Sequence, residues 1–347
     1  MTETARRVPL RSIAVILSLV APGLGHIYYG RTRRGLVWAA IPVLMMALYV
    51  AALPQLIAAL GAGATLGATV VPSVAARIAA SADLLGIPEG RRHAVSAPRV
   101  LVFAAALVLL GRATTIGTMF GVRALGIQTF KIPSGSMIPT LLVGDHIFVD
   151  KSAYRARAPR RGELMVFAFP EHPGQDFIKR VIAIPGDRLE VKNGHPFLNG
   201  WEVPHCAVGL FGYDESGASP MHHEGDLFVE YLGDEAYLTF YEGAATAQDS
   251  GPFDVTGDDA WVLGDNRNNA YDSRMWWGGK GGGVPRSLVK GRAMTVWLSV
   301  SDEGIDGSRF GADLTRPLLP RASASLAPAL ERCLRERPAR TLTSPPP

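Results

Sequence analysis

The hydrophobic pattern of this chain changes period once, at about Gly126, and the change decides what it can fold into. Ahead of that point the apolar residues come in long runs, at 13–21, 35–53, about 55–82 and 100–122. A helix that spans a bilayer needs about 20 apolar residues, a length the last three runs reach. Beyond Gly126 the apolar stretches are short, rich in Val, Ile and Phe, and bounded by Gly, Pro or Asp, as strands are. No helical repeat separates them, which excludes βαβ units and points to mostly antiparallel pairing. The fold class expected is therefore N-terminal transmembrane α-helices followed by a mostly antiparallel β domain. The 48% hydrophobic content and positive mean hydropathy arise from the first part.

Charge orients the segments. Residues 13–21 follow Arg6, Arg7 and Arg11, as the core of a secretory signal peptide would. Residues 22–30, PGLGHIYYG, offer no small-x-small cleavage site, so the segment reads as retained. Arg91, Arg92 and Arg99 precede the run at 100–122 and place its N-terminal end in the cytoplasm. Everything after Val122 then lies outside. If the basic cluster Arg31 to Arg34 is also inside, 13–30 is re-entrant or interfacial and three helices span; otherwise 13–30 and 35–53 form a spanning hairpin and 55–82 lies on the surface. Arg112 in the middle of an apolar run reads as snorkelling or a helix break. The net charge of +4 belongs to arginines beside apolar runs, not to a nucleic-acid face, and no nucleic-acid partner is expected.

The organisation expected is a membrane module at 1–98, an anchor helix at 99–125, a β domain at 126–301 and a partly disordered tail at 302–347. Strands are expected at Asp145–Val149, Glu163–Phe169, Phe177–Ile184 and Ala293–Val300. A hairpin at 189–198 turns on Asn193-Gly194. The polar, Gly- and Asp-rich stretch at 203–257 reads as a β-rich insertion with long loops, and Leu326–Leu334 as a short helix. Cys206 and Cys333 could pair or stay free. His222-His223 reads as part of a solvated loop, and neither a metal nor a cofactor is expected.

Three blocks carry the chemistry. In Phe130–Met137, FKIPSGSM, a Pro/Gly-punctuated turn presents Ser136 just after the last apolar run. A serine hydroxyl is a poor nucleophile until a neighbouring base takes its proton. Lys179 lies in the second block, Asp176–Asp187, within an otherwise apolar strand that puts Phe177, Lys179, Val181 and Ala183 on one face. A lysine serves as base only when burial lowers its pKa towards neutrality. Arg180 points to the opposite face and reads as a surface residue. The third block is Gly264–Arg274, GDNRNNAYDSR.

From Arg123 to Val300 these blocks, with Arg161–Phe167 between them, resemble bacterial type I signal peptidase (leader peptidase), a serine/lysine-dyad family. The resemblance implies Ser136 as nucleophile and Lys179 as general base. It also implies that Ser134 lends a hydroxyl to the oxyanion hole and helps to orient the lysine. Asp272 and Arg274 match a bracing pair, and Phe130, Ile132 and Ile178 match the walls of shallow pockets for small substrate side chains. Met137, Ile138, Pro139 and Leu141 match an edge that faces lipid, core packing being the alternative. Two departures stand out: Ala270, where the family often has a lysine-binding serine, and the glycine-rich Gly278–Gly283. The function implied is removal of N-terminal signal peptides from exported preproteins after Ala-x-Ala-like sites. The partners implied are signal peptides, the bilayer and the secretion translocon, with the catalytic domain on the periplasmic side of a bacterial inner membrane. The competing readings are a specialised processing peptidase with few substrates and an inactive paralogue that binds preproteins.

Overall fold

The β expectation rests on short Val-, Ile- and Phe-rich runs between turn residues, and the central strands built from them are largely buried, Leu164–Ala168 throughout its length. The computed structural model describes residues 10–60, 62–87, 98–106, 109, 126–215, 221–243, 249–301 and 304–338. The chain divides into two units, Met1–Ala124 and Leu125–Pro347.

In the first unit, α1 (Arg11–Val20), α2 (Leu24–Tyr28), α3 (Thr32–Leu60) and α4 (Ala62–Leu85) follow one another through short turns. Gly25 lets α2 approach α1, since a Cβ there would stand 1.8 Å from the Ala14 carbonyl oxygen. Asp83 on α4 accepts hydrogen bonds from Trp38 (3.0 Å) and lies 2.8 Å from the buried His26 ring. Among the described residues no helix is long and apolar enough to cross a membrane. The runs expected to span at 35–53 and 55–82 fall on α3 and α4, and α4 is built largely of Ala and small residues and carries Arg77 and Asp83. Most of the run at 100–122, with Arg112, lies outside the described residues, as do Arg91 and Arg92.

The second unit is built on a seven-stranded antiparallel sheet. Its main path runs β1 (Ile127–Lys131), β2 (Asp145–Asp150), β13 (Val289–Ser301), β3 (Leu164–Ala168), β4 (Asp176–Ala183), β12 (Trp261–Leu263), with β14 (Gly304–Ile305) pairing β13. The strands expected at 145–149, 163–169, 177–184 and 293–300 are β2, β3, β4 and β13. A second sheet orders β11 (Ser250–Asp254), β5 (Arg188–Lys192), β6 (His195–Leu198) and β7 (Trp201–Glu202). Its hairpin turns on Asn193 (φ 51°) and Gly194 (φ 82°), the two positive φ values that a two-residue type I′ turn demands.

The stretch at 203–257 is β-rich as expected, and most of its described residues are strand rather than long loop. It holds a third sheet, β8 (His205–Glu215), β9 (Met221–Leu232) and β10 (Glu235–Tyr241), in the order β10-β9-β8. Outward-facing polar residues on β8 and on the first half of β9 keep that part of the sheet from reading as a continuous apolar run. His223 is a correction: it lies on β9, 5% exposed, rather than in a solvated loop. Cys206 on β8 and Cys333 on a C-terminal helix, α5 (Ala327–Arg335), form a disulfide. Part of the segment read as a tail packs into the domain. Arg309 pairs with the buried Asp145 (2.6 and 2.9 Å), and Leu314 and Leu330 are buried. The residues from 339 onward lie outside the described ones.

Candidate active site

The turn that carries Ser136 is fixed before any side chain is considered. After β1 the chain pairs back on β2, Ile132 N–H to Asp145 O (2.8 Å) and Gly144 N–H to Ile132 O (2.9 Å). Gly135–Met137 then makes one turn of 3₁₀ helix. Met137 and Leu141 are fully buried, and Ile138 is 5% exposed. These residues, matched to a lipid-facing edge, are core instead: Met137 and Leu141 pack with Ile132, Ile147 and Val166, and Ile138 packs under the third sheet. Burying them anchors the turn and leaves Ser136 half-exposed at its tip.

β4 brings the lysine. Its Nζ lies 2.8 Å from Ser136 Oγ and donates to Ile178 O at 3.0 Å. Lys179 is 4% exposed, and the amine sits 5.2 Å from the centre of the Phe177 ring. Burial lowers its pKa from 10.5 to about 8, although Asp272 and Asp265 pull the other way. The amine thus has apolar company and no carboxylate in contact.

Ser134 is exposed, and its Oγ is 3.4 Å from Ser136 Oγ. Among the described residues the lysine amine finds its partners in Ser136 and the Ile178 carbonyl, so Ser134 does not hold it directly. Phe130 and Ile178 pack half-buried against the cluster that contains the buried Ile132, which places the three expected pocket residues together. Asp272 accepts two hydrogen bonds from the Arg274 guanidinium, both 2.8 Å, and one from Gly264 N–H at 2.9 Å. That pair braces the third block internally, with Arg274 also donating to Arg267 O at 2.8 Å. Gly264 is the point of closest approach, where a Cβ would stand 2.3 Å from that of Ala270 and 2.6 Å from Ser136 O.

Arg180 corrects its sequence reading. It does face away from Lys179, but it is 2% exposed. Its guanidinium forms a fork on Asp265 (2.7 and 2.5 Å), donates to Gly162 O (2.7 Å) and stacks 4.0 Å over Tyr237. The interior tolerates the cation because each side of it has a partner. Thr140 Oγ1 also donates to Asp265, at 2.5 Å. Sequence reasoning also missed Asn266 and Tyr213, both close to the nucleophile turn. Asn266 lies in the third block, but nothing in the sequence separates it from the neighbouring polar residues. Tyr213 sits in the insertion and carries no motif at all.

One group of possible metal ligands occurs among the described residues: His195, Glu202 and His205, with ligand atoms within 4.8 Å of one another. The two imidazoles stack nearly parallel, with centroids 4.2 Å apart and planes 16° apart, and His195 also stacks on Tyr241. Stacked rings hold their in-plane lone pairs side by side rather than converging, so aromatic packing accounts for the cluster.

Comparison with known proteins points one way. Residues 103–298 match the family described as signal peptidase, peptidase S26. The chain is 35% identical over 192 residues to a probable signal peptidase I-2 of Synechocystis sp., covering 52% of this chain and 70% of that protein. It is 34% identical to signal peptidase I of Pseudomonas aeruginosa, covering 52% of this chain and 68% of that protein. It is 32% identical to signal peptidase I of Aquifex aeolicus, covering 50% of this chain and 76% of that protein.

Proposed function

The chain belongs to the peptidase S26 family of signal peptidases and is a serine endopeptidase, and from this we propose that it removes signal peptides from exported preproteins with Ser136 and Lys179 as its catalytic dyad. The observation that carries the proposal is the 2.8 Å contact between Ser136 Oγ and a buried lysine amine whose pKa is about 8. A neutral Lys179 takes the Ser136 proton as Oγ adds to the scissile carbonyl carbon. The carbonyl π pair moves to oxygen, and the Ser136 N–H and Ser134 hydroxyl stabilise the resulting oxyanion. The tetrahedral intermediate collapses, the C–N bond breaks, and the lysine ammonium protonates the leaving amine. Lys179, neutral again, then activates the water that hydrolyses the acyl ester.

Phe130, Ile132 and Ile178 would admit small side chains and reject bulky ones by overlap, giving a small-x-small preference before the cut. The apolar runs before Gly126 and the arginines beside them support a multi-pass anchor in the bacterial inner membrane, with the catalytic domain on the periplasmic side and the translocon nearby. Ser136, Lys179 and Ser134 are all retained, which favours a working enzyme over a preprotein-binding paralogue.

The test is cleavage of a preprotein bearing an Ala-x-Ala site by the purified full chain in detergent micelles. A single cut after the second alanine, lost when that alanine becomes Phe, is expected. No cut, or a cut indifferent to the alanines, would overturn the proposal.

A further inference from the structure

The peptide between Gly135 and Ser136 is held from behind. Its carbonyl oxygen, Gly135 O, accepts hydrogen bonds from the Ile138 N–H of the 3₁₀ turn and from Asn266 Nδ2, both at 3.0 Å, and the Asn266 main-chain N–H donates to Ser136 O at 3.3 Å. In a trans peptide the C=O and N–H point in opposite directions. Fixing Gly135 O therefore fixes the aim of the Ser136 N–H, the main-chain donor that the proposed mechanism turns on the oxyanion. Asn266 itself is fully buried, and among the described residues its Oδ1 has no hydrogen-bond partner. Its side-chain amide is oriented by its two donors, one to Gly135 O and the other to the Tyr213 hydroxyl at 2.9 Å.

Tyr213 comes from β8 of the third sheet. Its hydroxyl also accepts from Asn269 Nδ2 at 3.4 Å. The ring is clamped, stacked on His223 (4.7 Å, 12°) and edge-on to Phe240 (5.6 Å). His223 is in turn held between Glu242 (2.9 Å) and Glu215 (3.3 Å). A rigid ring at the end of a braced strand thus presents one acceptor to Asn266.

We infer that Tyr213 is a positioning residue for peptide-bond cleavage: its hydroxyl sets the Asn266 amide, which clamps the Gly135–Ser136 peptide and aims the Ser136 N–H at the developing oxyanion. The inference rests on the function proposed above. It gives the third sheet a part in catalysis through a residue that touches no substrate. A donor aimed at the oxyanion acts in the transition state and not in substrate binding, so its misalignment lowers kcat and leaves KM in place. Nor does Tyr213 touch Lys179, so the pH at which activity rises should not move.

The experiment uses the full chain in detergent with the same preprotein, comparing wild type with Tyr213→Phe and Tyr213→Met. Both variants lack the hydroxyl, but they differ in how well they fill the aromatic site. The expected result is a fall in kcat of about tenfold in both, equivalent to about 1.4 kcal/mol. KM and the acid limb of the pH profile should stay at wild-type values whatever the two melting temperatures are. A kcat within twofold of wild type in Tyr213→Phe would overturn the inference. So would a kcat that tracks melting temperature across the two variants, or a loss expressed in KM. A wild-type chain that cuts no preprotein would instead bring down the proposed function, and this inference with it.

Discussion

Lys179 and Arg180 are consecutive on β4, are equally buried, and are treated in opposite ways. On Arg180's side the fold supplies Asp265, the Gly162 carbonyl and the Tyr237 face, so the guanidinium keeps its charge and ties β4 to the third block. On Lys179's side it supplies Phe177, a serine hydroxyl and one carbonyl, with no carboxylate in contact. Burial then presses the amine towards neutrality. The difference shows that the partner, not the depth of burial, decides whether an interior cation is a brace or a base.

The comparison breaks first on activity. Ser136→Ala and Lys179→Met should each lower preprotein cleavage by roughly 10⁴-fold or more, since water replaces neither a nucleophile nor its base. Turnover near wild type in either variant would remove the distinction between the two sides of the strand.

Stability should divide the neighbours by sign. Arg180→Met leaves Asp265 buried without its counter-ion and should cost about 3–5 kcal/mol, read from denaturant midpoints. Lys179→Met should do the reverse at pH 7. The folded pKa of about 8 lies below the ordinary 10.5, so the unfolded chain binds more protons between those values. The lysine therefore destabilises fully below about pH 8 and progressively less as the pH rises through 10.5. Its removal should gain on the order of 3 kcal/mol at neutral pH and almost nothing above pH 11. Equal losses in both variants would mean that both cations are structural.

The smallest effect concerns Ala270, next to the close Gly264 approach. Ala270→Ser should preserve turnover or raise it a few-fold, since a new hydrogen bond near the amine is worth about 0.5–1.5 kcal/mol. A large fall in turnover with folding intact would show that the site is packed around alanine.

The sequence showed some of these features and hid others, for physical reasons. The strands β2, β3, β4 and β13 and the Asn193-Gly194 turn were legible because short Val-, Ile- and Phe-rich runs between turn residues, and an Asn-Gly pair suited to positive φ, are local marks. The meeting of Ser136 with Lys179 was legible because a turn motif marks the serine and the apolar strand around it marks the lysine. Arg180 was misread because period 2 reveals which face a residue takes but not what waits there; its partner Asp265 is 85 positions away. The insertion at 203–257 was legible as β-rich, but the part played by Tyr213 was hidden, because its contact with Asn266 joins positions 53 residues apart. Core packing of Met137, Ile138 and Leu141 beside the nucleophile was similarly invisible, since an apolar residue next to a turn suits a core and a lipid surface alike.

The central claim, that Lys179 works as a neutral base, is tested most directly by the pH dependence of kcat/KM for preprotein cleavage by the wild-type chain. Activity should rise with pH, with its half-maximum near the lysine's pKa of about 8. A rise that waits until pH 10 or above, as an ordinary exposed lysine would give, would contradict it.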